Sequence, residues 1–210
     1  MISFFLADID GMERHFRRNV INGIGGCKSA NLIGSIDSQG RENLGLFSSI
    51  FHLGASPALL GFQMRPVHEG RHTYHNILDT GHFTVNGVSM AMHKRAHLCS
   101  APYAREMSEF ELCGFRPIYR KDMMAPFVAE SPIQIGCKLE EDLEIALNGC
   151  RIIIGRILQV HLEESILLDD GCVDLHRADI AAIAGLNAYH PIGAAESQPY
   201  PAKPLSKNQP

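Results

Sequence analysis

Short runs of strand-forming residues, closely spaced and divided by turn signals, constrain this chain more than any other feature. Residues 30–37 (Ala-Asn-Leu-Ile-Gly-Ser-Ile-Asp) read as a strand. Ser38-Gln39-Gly40-Arg41 is a turn in which Gly40 can take positive φ. Asn43 to Phe51 follows as the hairpin partner. Pro57 opens a further strand over Ala58–Met64, and His82–Val88 alternates polarity with β-forming residues. In the stretch from Phe127 to Ile145, Ile133, Ile135, Cys137 and Leu139 recur at a period of two and so share one strand face. Asn148-Gly149 is a hairpin turn. Arg151–Leu162 is the longest strand candidate, with Gly155 marking a bulge or bend inside it. Many strands with few helices between them predict a mainly β fold, a barrel or sandwich with short helices at its rim, and argue against a βαβ sheet.

The helical signals are short. Residues 12–20 carry Met12, Phe16 and Val20 at helical spacing. Thr73 is placed to cap a helix over Tyr74–Asp79, which Gly81 stops. Met90–Cys99 and Glu106–Glu111 are further candidates, and Leu175–Ala184 is predicted to be helical. The apolar start, Met1-Ile2-Ser3-Phe4-Phe5-Leu6-Ala7, lacks a positive n-region and runs into Asp8, so it is expected to pack on the domain and not to act as a signal peptide. The expected organisation is a lead-in over 1–29, one domain over 30–190, and a Pro-rich extended arm over 191–210.

Composition narrows the function classes. With 45% hydrophobic residues the chain can build a core of useful size. A net charge of −4 offers no basic field for nucleic acid or anionic lipid. No apolar run approaches the roughly 20 residues that span a bilayer. Six scattered cysteines without a C-x-x-C predict reduced thiols and a cytoplasmic setting.

Several common chemistries find no support. Gly23-Ile24-Gly25-Gly26-Cys27-Lys28-Ser29 fails the phosphate-loop pattern, because Cys27 stands where glycine must precede Lys28. It reads as a glycine-rich loop leading into the first strand, from which Lys28 and Ser29 could face a ligand. No G-x-G-x-x-G follows a strand, and no nucleophile elbow or Ser-His-Asp order occurs. His93 and His97 are four apart, and His68, His72, His75 and His82 lie near one another, but nothing completes a zinc set. No metal site is expected. Glu140-Glu141-Asp142 with Glu144 reads as a solvated acidic face.

One cluster does suggest a ligand. Ser48 and Ser49 are tandem hydroxyls at a strand end, and their commoner role is to satisfy a turn. Arg71 and Thr73 shift that balance, because a guanidinium beside a hydroxyl suits a phosphate. Asn43 adds an amide, and Leu46 and Phe47 add apolar walls. Such a set fits a phosphorylated planar molecule.

These residues, in this order, resemble the flavin reductase-like, FMN-binding split-barrel proteins, the group that includes flavoredoxin. The resemblance runs from about Ala30 to Tyr189. Its parts are Leu32-Ile33-Gly34-Ser35, the Asp37–Gly40 turn, Asn43-Leu44-Gly45-Leu46-Phe47-Ser48-Ser49 and Ser56-Pro57-Ala58-Leu59-Leu60. Arg71-His72-Thr73-Tyr74-His75-Asn76-Ile77, Thr80 to Asn86, Ala96-His97 to Ser100-Ala101 and Glu109-Phe110 complete it. The chain departs from the family's usual pattern at Leu46, often Pro, and at His72, often Asp.

The resemblance implies a six-stranded Greek-key split barrel that works as a homodimer with FMN near the subunit interface. It implies that Ser35, Asn43, Leu46, Phe47, Ser48 and Ser49 line the flavin, that Arg71 and Thr73 hold its phosphate end, and that His97 sits close by. It further implies an FMN-dependent oxidoreductase passing electrons from NAD(P)H to free flavin, a partner protein or a small acceptor. The cofactor then carries the redox chemistry, and no side chain need act as a catalytic acid or base. The alternatives are a non-enzymatic FMN- or haem-binding split barrel and, behind it, an enzyme resembling pyridoxamine-phosphate oxidase on a related barrel.

Overall fold

A computed structural model describes residues 1–198. Two helices lead, α1 (Leu6–Gly11) and α2 (Arg14–Gly23). Strands β1 (Lys28–Ser29), β2 (Asn31–Ile36), β3 (Glu42–Phe47), β4 (Ile50–Ala55) and β5 (Ala58–Met64) follow. Helix α3 (His72–Thr80), strand β6 (His82–Gly87), and helices α4 (His93–Leu98) and α5 (Glu109–Leu112) come next. Strands β7 (Pro117–Ile118), β8 (Phe127–Val128), β9 (Ile133–Ile145) and β10 (Cys150–Leu162) lead to a 3-10 turn at Glu164–Ile166. Strands β11 (Ala181–Ala184) and β12 (Ala188–Pro191) close the described chain.

The main sheet has seven strands in the order β3-β2-β6-β9-β10-β5-β4, every neighbouring pair antiparallel. Its two edge strands, β3 and β4, are joined by Ser48-Ser49 alone. A flat seven-stranded sheet would hold those edges about 29 Å apart, at about 4.8 Å per neighbour. Two linking residues reach about 10 Å. The sheet must therefore curl until its edges meet, which is the split barrel. Asn43–Phe51, expected as one strand, divides at Ser48-Ser49 into β3 and β4. Counted once, that segment gives the expected six strands.

Two apolar clusters sit on opposite faces of β2, which explains why five of its six residues are buried. Leu32 packs with Leu44, Met92, Ala96 and Phe110 in one cluster. Ile33 packs with Phe62, Phe83, Val85 and Ile153 in the other, where α3 adds Tyr74 and Ile77. Fully burying a side chain of this kind contributes about 1.5–3 kcal/mol. Gly155 marks the expected irregularity: the β9–β10 register shifts between Ile154 and Gly155. Gly40, Gly81 and Gly149 have φ of 81°, 70° and 70°, as their turn and helix-stop positions require.

Three expectations are corrected. Leu175–Ala184 is not a helix: a turn ends at Asp179, whose φ is 51°, and β11 follows, paired with both β1 and β12. Alanine-rich sequence favours helix locally, but pairing on both edges of β11, with Ala181 and Ile183 buried in the core, overrides it. Thr73 is not a cap; Arg71 is the N-cap residue, and Thr73 lies inside α3 with its side chain buried. The lead-in contributes nothing to the core, since no residue of α1 or α2 is buried and Phe4, Phe5, Phe16 and Ile24 are exposed. The arm expected over 191–210 falls mostly on residues 199–210, outside the described residues. All six cysteines are free. No helix of the described residues is long and apolar enough to cross a membrane.

Candidate functional site

The break between β3 and β4 opens a cavity of about 960 Å³, toward the upper end of the size range of small-molecule sites. Eight of the nine candidate residues line it: Asn43, Leu46, Phe47, Ser48, Ser49, Arg71, Thr73 and His97. The curl of the sheet brings β3 against the start of α3, so residues about thirty apart in sequence become neighbours. Asn43 Nδ2 donates to Thr73 Oγ1 at 2.8 Å.

Ser35 is the exception. It is fully buried and not among the lining residues. Its Oγ accepts from Asn43 Nδ2 at 3.4 Å and from Asn76 Nδ2 at 3.2 Å. It sits opposite Asn43 in the β2–β3 ladder, so Ser35 holds Asn43 from behind. Lys28 and Ser29 are also not among the lining residues; Lys28 Nζ donates to the carbonyl of Asn22, which is one of them, at 3.4 Å.

The apolar wall is braced from two sides. Leu46 packs against the Leu32–Phe110 cluster and Phe47 against the Phe62–Phe83 cluster. The Phe47 and Phe62 rings meet edge to face at 5.2 Å. At Gly45 a Cβ would stand 2.9 Å from the Phe47 ring and 3.1 Å from Thr73 Oγ1. A larger residue here would have to push the Phe47 ring and the Thr73 hydroxyl aside, so glycine favours the close approach of β3 and α3.

The polar end is cationic. Arg71 is half-buried, and its pKa is lowered by burial and then by the neighbouring Arg65. The guanidinium remains charged at neutral pH. His72 is lowered below the usual histidine range by burial, then by Arg105 and His75, which favours its neutral form at pH 7. Arg65 and His68 line the same cavity. Glu109, at the start of α5, is the one carboxylate among the described lining residues. It accepts from the Leu44 amide at 3.0 Å, and burial raises its pKa.

His97 is fixed by the C-terminal hairpin. Its Nδ1 lies 3.0 Å from the Tyr189 hydroxyl on β12, and His93, one turn earlier, packs on the same ring at 5.2 Å. The two histidines grip a tyrosine. Among the described residues no cluster of three or more His, Cys, Asp or Glu could hold a metal ion. The acidic run is partnered on the surface: Glu140 pairs with Arg156, and Asp142 and Glu144 pair with Arg151.

Sequence reasoning missed several lining residues. Arg18, Asn19 and Asn22 come from α2, and Gly185, Leu186 and Asn187 from the β11–β12 turn. Nothing local marks them, because only the tertiary fold carries these two segments to this cavity. Glu109 could have been found, since Glu109-Phe110 lies within the quoted resemblance.

Comparison with known proteins agrees with this architecture. A protein assigned as a flavin reductase with a split-barrel domain from Shewanella frigidimarina is 40% identical, with a TM-score of 0.92 over 96% of this chain and 100% of that one. Flavoredoxin of Desulfovibrio vulgaris is 24% identical, with a TM-score of 0.73 over 84% of this chain and 92% of its own. Nitrilotriacetate monooxygenase component B from Bacillus cereus is 21% identical, with a TM-score of 0.82 over 94% and 98%. The last two likenesses concern the fold. The flavin reductase like domain matches residues 27–175, well over half of the sequence, and the chain belongs to that family.

Proposed function

We propose that this protein binds FMN in the cavity at the β3–β4 break and works as an NAD(P)H-dependent flavoprotein oxidoreductase. The observation that carries this reading is the convergence of Ser48, Ser49, Thr73 and Arg71 with Asn43 and two apolar side chains in one cavity. The donor set fits the group. Arg71 offers a charge and planar donors to a phosphate. Thr73 accepts from Asn43, so its own hydroxyl proton is left to donate. Asn43 directs its Nδ2 at Thr73 and Ser35, and its Oδ1 has no partner among the described residues, leaving an acceptor for a ring-edge N–H. Leu46 and Phe47 exclude water from the apolar part of the ligand.

A bound flavin would supply two-electron transfer between a reduced nicotinamide and an acceptor. The chain's residues hold and orient it. Glu109 is turned to the Leu44 amide, so no free carboxylate among the described lining residues is set to act as a base. The protein is further inferred to act as a homodimer, and half-exposed Phe51, Leu53, Leu158 and Val160 on β4 and β10 favour a covered sheet face. Light scattering of the purified protein checks this, and a monomer at micromolar concentration would refute it.

The functional test is an anaerobic visible spectrum of the FMN-loaded protein, before and after NADH and then NADPH. Bleaching of the flavin bands by either nucleotide is expected. A protein that fails to take up FMN, or whose flavin keeps its colour with both donors, would sink the proposal.

A further inference from the structure

One buried carboxylate has no task in the chemistry proposed above. Glu109 opens α5 and is only 5% exposed. It lines the cavity, and it accepts from the Leu44 amide at 3.0 Å. Among the described residues β3 has β2 as its only ladder partner. The Leu44 amide therefore points away from β2 and takes its partner from outside the ladder. Residues i and i+2 of a strand present their amides to the same edge, about 7 Å apart. Leu46, two residues on, belongs to the apolar wall of the cavity. The carboxylate is thus held about one strand repeat from the wall assigned to the flavin ring.

The hydrogen bond does not require the charge, because a glutamine carbonyl would accept from the same amide. The charge also works against the fold. Burial raises the Glu109 pKa, and the Leu44 amide, its own amide and Arg105 oppose this only in part. A folded value above the unfolded one means that stability is lost as pH rises through it, so the ionised form is the less stable one. Among the described residues Glu109 is in no ion pair, and Arg105 is engaged with Asp37 at 2.8 Å. A buried, unpaired carboxylate that its hydrogen bond does not need points to a use for the charge itself.

We propose that Glu109 sets the reduction potential of the flavin held in this cavity, its fixed negative charge making that flavin a stronger reductant. The proposal rests on the flavin reading above. Two-electron reduction with uptake of one proton adds one negative charge to a flavin ring. A fixed charge of the same sign, held near the ring where little water screens it, opposes that change. Oxidised FMN carries no such ring charge, so its affinity is affected less.

The experiment compares wild type with Glu109→Gln, and with Glu111→Gln as a charge control on the same helix, exposed and outside the cavity lining. FMN affinity is measured first by fluorescence titration. Failure of wild type to bind would sink the flavin reading and this proposal with it. The midpoint potential of each FMN-loaded protein is then measured spectroelectrochemically at about pH 8, where the carboxyl is ionised. Glu109→Gln should favour reduced over oxidised FMN by at least about tenfold, which raises the two-electron potential by about 30 mV. Glu111→Gln should leave it unchanged, and the urea midpoint of Glu109→Gln should not fall below that of wild type. The gap in potential should close as pH falls and Glu109 takes up a proton. The ionisable groups facing Glu109 are Arg105, Cys99 and Tyr103, and His68, His72 and His97 share the cavity. Their titration is common to both proteins and cancels in the difference. Normal FMN binding with an unchanged potential in Glu109→Gln would overturn this proposal alone. A Glu109→Gln protein that is destabilised or fails to fold, or a gap that ignores pH, would overturn it as well, because the charge would then be structural.

Discussion

Replacing Gly34 by alanine tests the account of how β2 is packed. Gly34 lies in the middle of β2, between Leu44 of β3 and Thr84 of β6. A Cβ there would fall inside 3.0 Å of the Pro126 carbonyl oxygen and stand 2.6 Å from Thr84 Oγ1. Those two atoms are already bonded to each other, Thr84 Oγ1 donating to Pro126 O at 2.7 Å. Asn86 Nδ2 in turn donates to Thr84 Oγ1 at 2.9 Å. The new methyl would therefore wedge into a buried polar bridge, one partner of which is backbone. Overpacking of a dense core costs about 1–3 kcal/mol. Leaving a buried hydroxyl or carbonyl without its partner costs about 1–3 kcal/mol more. The reduced freedom of the unfolded chain returns about 0.4–1 kcal/mol. The net is about 3 kcal/mol, or a fall in Tm of about 6–12 °C for a chain of this length. Urea unfolding followed by circular dichroism measures it. Gly11→Ala serves as control, since a Cβ there meets nothing within 4 Å. If Gly34→Ala stayed within about 1 kcal/mol of that control at equal m-value, the reasoning about this contact would be wrong.

Other perturbations probe the site and its supports. Arg71→Ala should weaken FMN binding by about ten- to a hundredfold, the range of a lost charge-assisted hydrogen bond; fluorescence titration showing an unchanged Kd would remove Arg71 from the phosphate end. Thr73→Val keeps the shape but takes the acceptor from Asn43 Nδ2, so both stability, by about 1–3 kcal/mol, and FMN affinity should fall together; a loss of neither would contradict the coupling of β3 to α3. Burial alone would raise the Asp37 carboxyl, but the Arg41 amide and guanidinium, Arg105 and the Gln39 amide outweigh it and hold it at about 2. Because the folded value lies below the ordinary 3.8, this stabilisation is complete above pH 4 and is lost as pH falls toward 2. Asp37→Asn should flatten that part of the acid-unfolding curve, and a curve identical in steepness to wild type would refute the assignment.

The features legible in the sequence were those written locally. Alternation and turn chemistry gave β2, β5, β6 and β10, the glycine turns at 40 and 149, and the stop at Gly81. Residue type and order in the 43–76 segment marked the cavity's hydroxyl and cation set, because those groups sit near one another along the chain. Other features depended on partners far away. Ala181–Ala184 reads as helix by its own residues and becomes a strand only because β1 and β12 lie on either side of it. Thr73 has the chemistry of a cap, yet the approach of β3 turns its hydroxyl to Asn43. Ser35 looks like a ligand contact, but the burial of β2 on both faces places it behind Asn43 and off the cavity. The largest omission was the part of the cavity lined by α2 and the β11–β12 turn, which are far apart in the described chain. Periodicity and propensity report the preferences of a few neighbouring residues. The curl that brings two sheet edges within the reach of Ser48-Ser49, and α2 and the β11–β12 turn to one cavity, arises from pairing and burial summed over many residues far apart in sequence. No local window contains that information.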